Sequence, residues 1–463
     1  MPRPRPRSYR RGVATALNAP VERPPGPDLG PLELARMLRS RRMTDYLQRA
    51  AERGPTLSHF RIARDHAYLV GTPELVRELF GPLGRAGRKG RGLEQARLLL
   101  GDGLLTSEGD LHRRQRRLIQ PAFHAGRVEA YARDMRTAAA ELPDRAGWRD
   151  GEVRDVAADM AGLTLRIVGQ TLFAADLTDD STTVSGALAE LLGRFQRTMV
   201  PGGALLNRLP LPSTKRLTGA IHELFSVVTR LIDEQRREPR DGTVLAMLLA
   251  ARDEHGDPMP DRQIRDEVLT LILAGHETTA NALAWTWLLL DRHPDAAGRL
   301  HAEIDRADPG AGPAELPWTR AVVAESMRLY PPAWVIGRRM VSDVTLDGWS
   351  IPAGSLVMAS QWVTHRDPRW WPEARSFVPS RWIGPSGFDE SAPGQPRGAY
   401  FPFGLGRRVC IGESFAWTEA VLALATLARD WAPALVPGHP VALQPAVTLR
   451  PRHGLRMTLH RRD

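Results

Sequence analysis

The sequence predicts a mainly α fold (α+β), helix-rich with small β-sheets, and three observations carry that prediction. From about Ser107 to Gln263 the apolar spacing is mostly helical, broken by Gly/Pro-rich stretches such as 201–212. Val268–Leu290 then forms a long apolar run with polar residues near its middle. Strand signals are short: β-branched and aromatic residues at His59–Val70, and turn chemistry at Asp347-Gly348 and Pro352-Ala353-Gly354 within Val341–Val357.

Each element has a local cause. Residues 1–29 are Pro/Arg-rich and run into Pro24-Pro25-Gly26-Pro27, which cannot continue a helix, so a flexible basic leader is expected before a folded body at 30–463. Arg10-Arg11 invites an export-signal reading, but Gly12–Ala19 is too short and weakly apolar to serve as its apolar core. Thr72 is placed to N-cap a helix reaching Phe80. Val268–Leu290 approaches the ~20 residues a bilayer requires. His276, Glu277 and Asn281 interrupt it where a charge in lipid is costly, so a buried helix is expected and no transmembrane anchor. Ala321–Leu329 and Phe415–Trp431 complete the helical stretches.

Composition narrows the function. Among 463 residues, 42% are hydrophobic and 25% charged, as in ordinary folded proteins, which disfavours disorder, collagen and coiled coil. The net charge of +10 rests on arginine, since Lys89 and Lys215 are the only lysines. Positive residues are spread along the chain with Asp and Glu interleaved, which argues against nucleic acid and for an acidic protein partner. One cysteine, Cys410, excludes an intramolecular disulfide framework and Cys-rich zinc or iron–sulfur sites, and fits a reducing, cytoplasmic setting.

That cysteine lies in Phe403-Gly404-Leu405-Gly406-Arg407-Arg408-Val409-Cys410-Ile411-Gly412, at the junction between a Gly/Pro/Arg-rich stretch and an apolar helix. Glycines allow close backbone approach to a cofactor. A thiolate at a helix start is stabilised by the helix dipole and free N–H groups, which predicts a lowered pKa. The segment resembles the haem-binding loop of cytochromes P450, matching its Phe, paired-Gly, Arg, Cys and Gly positions.

The resemblance extends from about Gly30 to the C-terminus. Glu325-Ser326-Met327-Arg328 is similar to the family's Glu-x-x-Arg helix, and Phe377–Trp382, after His365-Arg366-Asp367-Pro368, is similar to the segment that supplies a second arginine. Glu325, Arg328 and Arg381 are then expected to form a buried charge network bracing the haem loop. Ala274-Gly275-His276-Glu277-Thr278-Thr279 resembles the oxygen-activating stretch, with Ala274 against the haem and Gly275 packing close over its face. Glu277 would relay protons from solvent, while Thr278, bonded to the Ala274 carbonyl, would open the helix and stabilise the oxygen intermediate. A zinc His-Glu-x-x-His site fails, because Ala280 stands at the second histidine.

By position, the resemblance assigns the haem propionates to His112, Arg116, Arg338 and Arg408, with Phe403 and Gly412 also at the cofactor. Arg338 is preferred to Arg339 for its spacing to Asp343 and Gly348. Ala333, Trp334, Val335 and Ile336, with Ala274, are expected to line the substrate pocket, Trp334 as a bulky wall, with further walls around 82–105 and 193–212. Arg113, Arg114, Arg117 and Arg407 are candidates for docking an acidic redox protein.

The resemblance therefore implies one P450 haem domain holding haem b through Cys410 as metal ligand. It implies a monooxygenase that inserts one atom of O2 into a hydrophobic small molecule, with terpenoid-like secondary metabolites favoured. Electrons would come from a ferredoxin or flavodoxin with an NAD(P)H-dependent reductase. The alternatives are a peroxide-dependent or rearranging P450, disfavoured by the Glu277–Thr278 pair, and a non-catalytic haem binder or sensor.

Overall fold

The computed structural model describes residues 22–27, 42–62, 65–178, 180, 183–184, 186–187, 212–252, 255–391 and 394–462. Most of the expected leader and the 193–211 part of the expected pocket wall lie outside the described residues. Where the leader is described it is docked: the His59 amide donates to the Pro25 carbonyl at 3.2 Å, because a proline carbonyl remains free to accept even though its nitrogen cannot donate.

The architecture is helix-rich with small sheets, as the sequence predicts. Its axis is the helix Asp261–Arg292, 32 residues long and buried along most of its length. The helices Ala125–Ala146, Val156–Phe173, Pro317–Leu329 and Glu413–Asp430 surround it, and their apolar residues merge into one core. Gly275 belongs to this packing. A Cβ there would stand 3.0 Å from Val168 Cγ2, so the missing side chain lets Val156–Phe173 approach the axial helix. The sequence placed that close approach over the haem face; the structure places it at a helix–helix contact.

To one side lies a five-stranded sheet with strands Leu57–Ile62, Asp65–Val70, Leu356–Ala359, Ile336–Met340 and Gly87–Lys89 in that order across it. Its period-2 alternation feeds two small cores. Ala67 and Leu69 join Tyr46, Phe60 and Trp334 on one face, while Tyr68 and Val70 join Leu79, Phe80 and Phe401 on the other. The Asp347-Gly348 signal is a tight hairpin turn: φ is 51° at Asp347 and 75° at Gly348, between strands Val344–Leu346 and Trp349–Ile351. Thr72 caps Pro73–Phe80 as expected, accepting from the Leu75 amide at 3.4 Å.

Glu325, Arg328 and Arg381 form a buried charge network. Glu325 has no exposed side-chain surface and accepts from five donors: Arg328 Nε and Nη2, Arg381 Nε, the Val378 amide and Trp382 Nε1, all at 2.8–3.1 Å. Arg328 spends its remaining N–H capacity on the carbonyls of His365, Ala374 and Ser376. His365, whose imidazole burial keeps neutral, accepts from the Phe401 amide at 3.0 Å and so ties the network to the segment entering the cysteine loop. Replacing Arg328 by leucine strands a carboxylate away from water and is expected to lower unfolding free energy by about 3–5 kcal/mol in urea titrations. The exposed Arg236–Asp261 pair, treated the same way with Arg236→Ala, is expected to cost no more than about 1 kcal/mol.

Candidate functional site

The cysteine loop is shaped by two glycines that other residues could not replace without strain. Gly404 and Gly406 have φ of +75° and +73°, and a Cβ on Gly406 would sit 2.3 Å from the Phe80 carbonyl oxygen. The short 3-10 turn Gly406–Arg408 brings the chain round so that the Cys410 amide donates to the Phe403 carbonyl at 3.0 Å. Phe403 packs on Trp417 of the following helix with ring centroids 6.0 Å apart, fixing the loop's two ends against one another.

Cys410 has accessible surface, and the protein packed around it pushes its thiol up to about 11 by desolvation. The Gly412 N–H and the Arg116 guanidinium act in the opposite direction, while Glu413 adds to the rise. The expectation of a lowered thiol pKa is corrected: the helix proper starts only at Glu413, and desolvation outweighs the donors. A thiol of this kind becomes a thiolate when a metal cation takes the proton's place.

Next to it the structure gathers positive charge. His112 is buried and its pKa is depressed to about 3, first by desolvation and then by Lys89, Arg408, Arg116 and Arg338. Arg338 is 6% exposed, held down to about 10, and lies over the Phe80 ring. Arg339, next along the strand, points the other way and pairs with Glu94 and Asp65. That alternation supports choosing Arg338. Arg408 pairs with Glu108 and donates to the Ser107 carbonyl at 3.3 Å. Arg116 donates to the Val409 carbonyl at 2.8 Å, which sets it against the cysteine loop.

Lys89 was missed by the sequence reading. Its ammonium is buried, donates to the Leu104 and Ser107 carbonyls at 2.8 and 2.7 Å, and is held down to about 7, chiefly by desolvation. Being one of two lysines in an arginine-rich chain was the only signal available. Among the described residues, four cations thus surround His112, with Glu108 bonded directly to Arg408 and, through its other oxygen, to the Lys89 amide at 2.6 Å. The surplus of positive charge around a buried, neutral imidazole suits a ligand bearing carboxylates.

On the axial helix, Ala274, Gly275 and Thr278 are the incompletely buried residues of the motif, while His276, Glu277 and Thr279 are buried. Thr278 Oγ1 donates to the Ala274 carbonyl at 2.9 Å, the back-bond that loosens a helix. Glu277 turns elsewhere: its Oε1 accepts from Thr448 Oγ1 at 2.6 Å and lies 3.7 Å from Arg450 Nη1. The two side chains that adjacency in sequence couples are therefore held by different partners.

The expected pocket strip alternates. Ala333, Val335 and Ile336 are half-buried, whereas Trp334 is 6% exposed, packs with Tyr46 and Phe60, and donates Nε1 to the Ala446 carbonyl at 3.0 Å. Trp334 is thus a core anchor rather than a bulky open wall. Arg113, Arg114, Arg117 and Arg407 are all exposed, and Arg113 pairs with Asp110.

Comparison with known proteins identifies the family. The family model described as Cytochrome P450 matches residues 22–451. Cyclooctatin synthase of Streptomyces melanosporofaciens is 38% identical over 430 residues, covering 90% of this chain and 92% of that protein. Cyclooctat-9-en-7-ol 5-monooxygenase of the same organism is 38% identical over 91% of this chain and 92% of its own length. Pentalenene oxygenase of Streptomyces avermitilis is 37% identical, covering 87% and 90%.

The glycine geometry gives a graded expectation. Gly348 has φ +75° with nothing within 4 Å of an added Cβ, so Gly348→Ala measures the left-handed cost alone, about 1–2 kcal/mol. Gly406→Ala adds the collision with Phe80, and should lower the thermal and urea midpoints clearly further than Gly348→Ala.

Proposed function

The chain belongs to the cytochrome P450 family and is a haem monooxygenase, and from that premise we propose that it uses haem b, held by Cys410, to insert one atom of O2 into an apolar, terpenoid-like secondary metabolite. One observation carries the reading: an accessible thiol with Arg116 beside it, next to a cluster of cations that carries more positive than negative charge. This donor set fits an iron porphyrin, with sulfur for the metal and Arg338, Arg408, Lys89 and His112 for the propionates, bound as arginine and buried donors bind carboxylates. The lack of a second cysteine leaves no pair of thiols for covalent attachment, which favours haem b. Arg116, on the Val409 carbonyl, braces the ligand loop and adds positive charge beside the sulfur.

Bound haem would supply the redox chemistry, in which a substrate C–H bond, O2, two electrons and two protons yield an alcohol and water. The chain's own residues do the rest. The Thr278–Ala274 back-bond makes room for a small polar molecule at the helix. Glu277 holds and passes protons. Ala333, Val335 and Ile336 offer apolar surface, and the names of the relatives, an oxygenase of pentalenene and a monooxygenase of cyclooctat-9-en-7-ol, favour a hydrocarbon-like substrate.

A redox protein must deliver the electrons. We assign that role to a ferredoxin or flavodoxin with an NAD(P)H-dependent reductase, and its docking to Arg113, Arg114, Arg117 and Arg407, which are exposed on the basic helix and at the edge of the loop. No helix among the described residues is long and apolar enough to cross a membrane, which is compatible with a cytoplasmic setting.

The reduced, carbon monoxide-bound protein is expected to show the red-shifted Soret band of a thiolate-ligated haem, and Cys410→Ala to abolish it. Persistence of that band in Cys410→Ala would overturn the ligand assignment. Titrating terpenoid, fatty-acyl and aromatic ligands against the ferric Soret band identifies the substrate class, and terpenoids are expected to give the low-spin to high-spin shift at the lowest concentration.

A further inference from the structure

Glu277 and Thr278 are neighbours in sequence but lie about 100° apart around the helix. Thr278 is committed to Ala274, and the carboxyl of Glu277 is committed to a hairpin far along the chain, with strands Leu443–Pro445 and Leu449–Pro451. This hairpin is fastened beside the axial helix by several independent bonds. Trp285 Nε1 donates to the Leu449 carbonyl at 3.0 Å, Trp334 Nε1 to the Ala446 carbonyl at 3.0 Å, and the Leu449 amide to the Pro332 carbonyl at 2.9 Å. Asn281 Nδ2 donates to the Glu277 carbonyl at 2.8 Å and reaches Thr448 Oγ1 at 3.5 Å.

The hairpin thus presents two side chains to one carboxylate oxygen: a hydroxyl at 2.6 Å and a guanidinium at 3.7 Å. Exposure rises outwards along this line, from 9% for the Glu277 side chain to 22% for that of Arg450. We propose that Thr448 and Arg450 are positioning residues for Glu277, holding its carboxylate at the solvent-ward end of the proton route until it takes up a proton.

This deepens the monooxygenase reading and rests on it. The transfer is simple in its bookkeeping. Ionised Glu277 accepts a proton from a solvent acid, becoming a neutral carboxylic acid and leaving the conjugate base in solvent. Neutralisation removes the charge attraction to Arg450, and the acid then releases the proton towards the Thr278 side and returns to carboxylate. Arginine serves as a fixed charge, since its guanidinium stays protonated. Burial raises the Glu277 pKa, while Arg450 and then Thr448 oppose the rise, and among the described residues Arg450 is the only charged group acting on it. Removing Arg450 must therefore raise the pKa further.

Purified holoenzyme carrying Arg450→Gln, Arg450→Lys or Thr448→Val tests this. The infrared C=O band of protonated Glu277, identified by its loss in Glu277→Gln, is expected to appear about one pH unit or more higher in Arg450→Gln than in the parent, and near the parent position in Arg450→Lys. The acidic limb of the kcat profile should move to higher pH by the same amount, with a larger solvent deuterium isotope effect and substrate Kd unchanged within about twofold, while Thr448→Val should move both in the same direction by less. An unshifted infrared band in Arg450→Gln overturns the proposal, as does a Lys variant no nearer the parent than the Gln variant. Failure of the haem reading would appear separately, as a missing carbon monoxide band, and leaves the infrared measurement intact.

Discussion

A carboxylate sealed from water at Glu325 has to be matched by protein donors, and this requirement organises everything between the axial helix and the cysteine loop. Its five donors come from its own helix and from Val378–Trp382, while Arg328 gathers three carbonyls from 365–376. A charge network is unforgiving of displacement, because a carboxylate missing one cation costs several kcal/mol. Through His365 and the Phe401 amide that rigidity reaches the chain just before Phe403, and the Cys410 amide bond back to Phe403 carries it to the sulfur.

The electrostatics of the site oppose one another in a useful way. Burial holds the Cys410 thiol up and the His112 imidazole down, both in their neutral forms, while Lys89, Arg338, Arg408 and Arg116 crowd the same region. Each neutral group avoids a desolvation cost that a charged one would incur, and the cations, most of them bonded to uncharged carbonyls, leave positive charge that carboxylates of a ligand would offset. On the proposed reading, loading of the cofactor would answer two local imbalances at once: a metal would replace the thiol proton, and propionates would offset the surplus positive charge.

The axial helix separates two tasks that sequence adjacency joins. Thr278 loosens the helix toward Ala274, and Glu277 is anchored in the C-terminal hairpin, so the chain's last strands bear on chemistry assigned to its middle. The same hairpin receives the Trp334 indole at the Ala446 carbonyl and reaches Glu277 through the Thr448 hydroxyl, so it links the strip Ala333–Ile336 to Glu277. A change in the strip Ala333–Ile336 is therefore mechanically close to Glu277.

Much of this was legible in the sequence because it depends on neighbours close in the chain. The Gly/Arg spacing before Cys410, the i, i+3 pair Glu325–Arg328, the Asp347-Gly348 turn and the Thr72 cap are local patterns, and the turn and the cap form as read. The tertiary structure decided what depends on distant partners: Gly275 packs against Val168, Trp334 becomes a core anchor, Cys410 is held protonated by burial, and Lys89 joins the cation cluster. It also decided that Glu277 answers to Thr448 and Arg450, more than 170 residues away. The physical reason is common to all of them: spacing along a helix or strand determines which face a side chain occupies, whereas desolvation and ion pairing depend on what folding brings to that face.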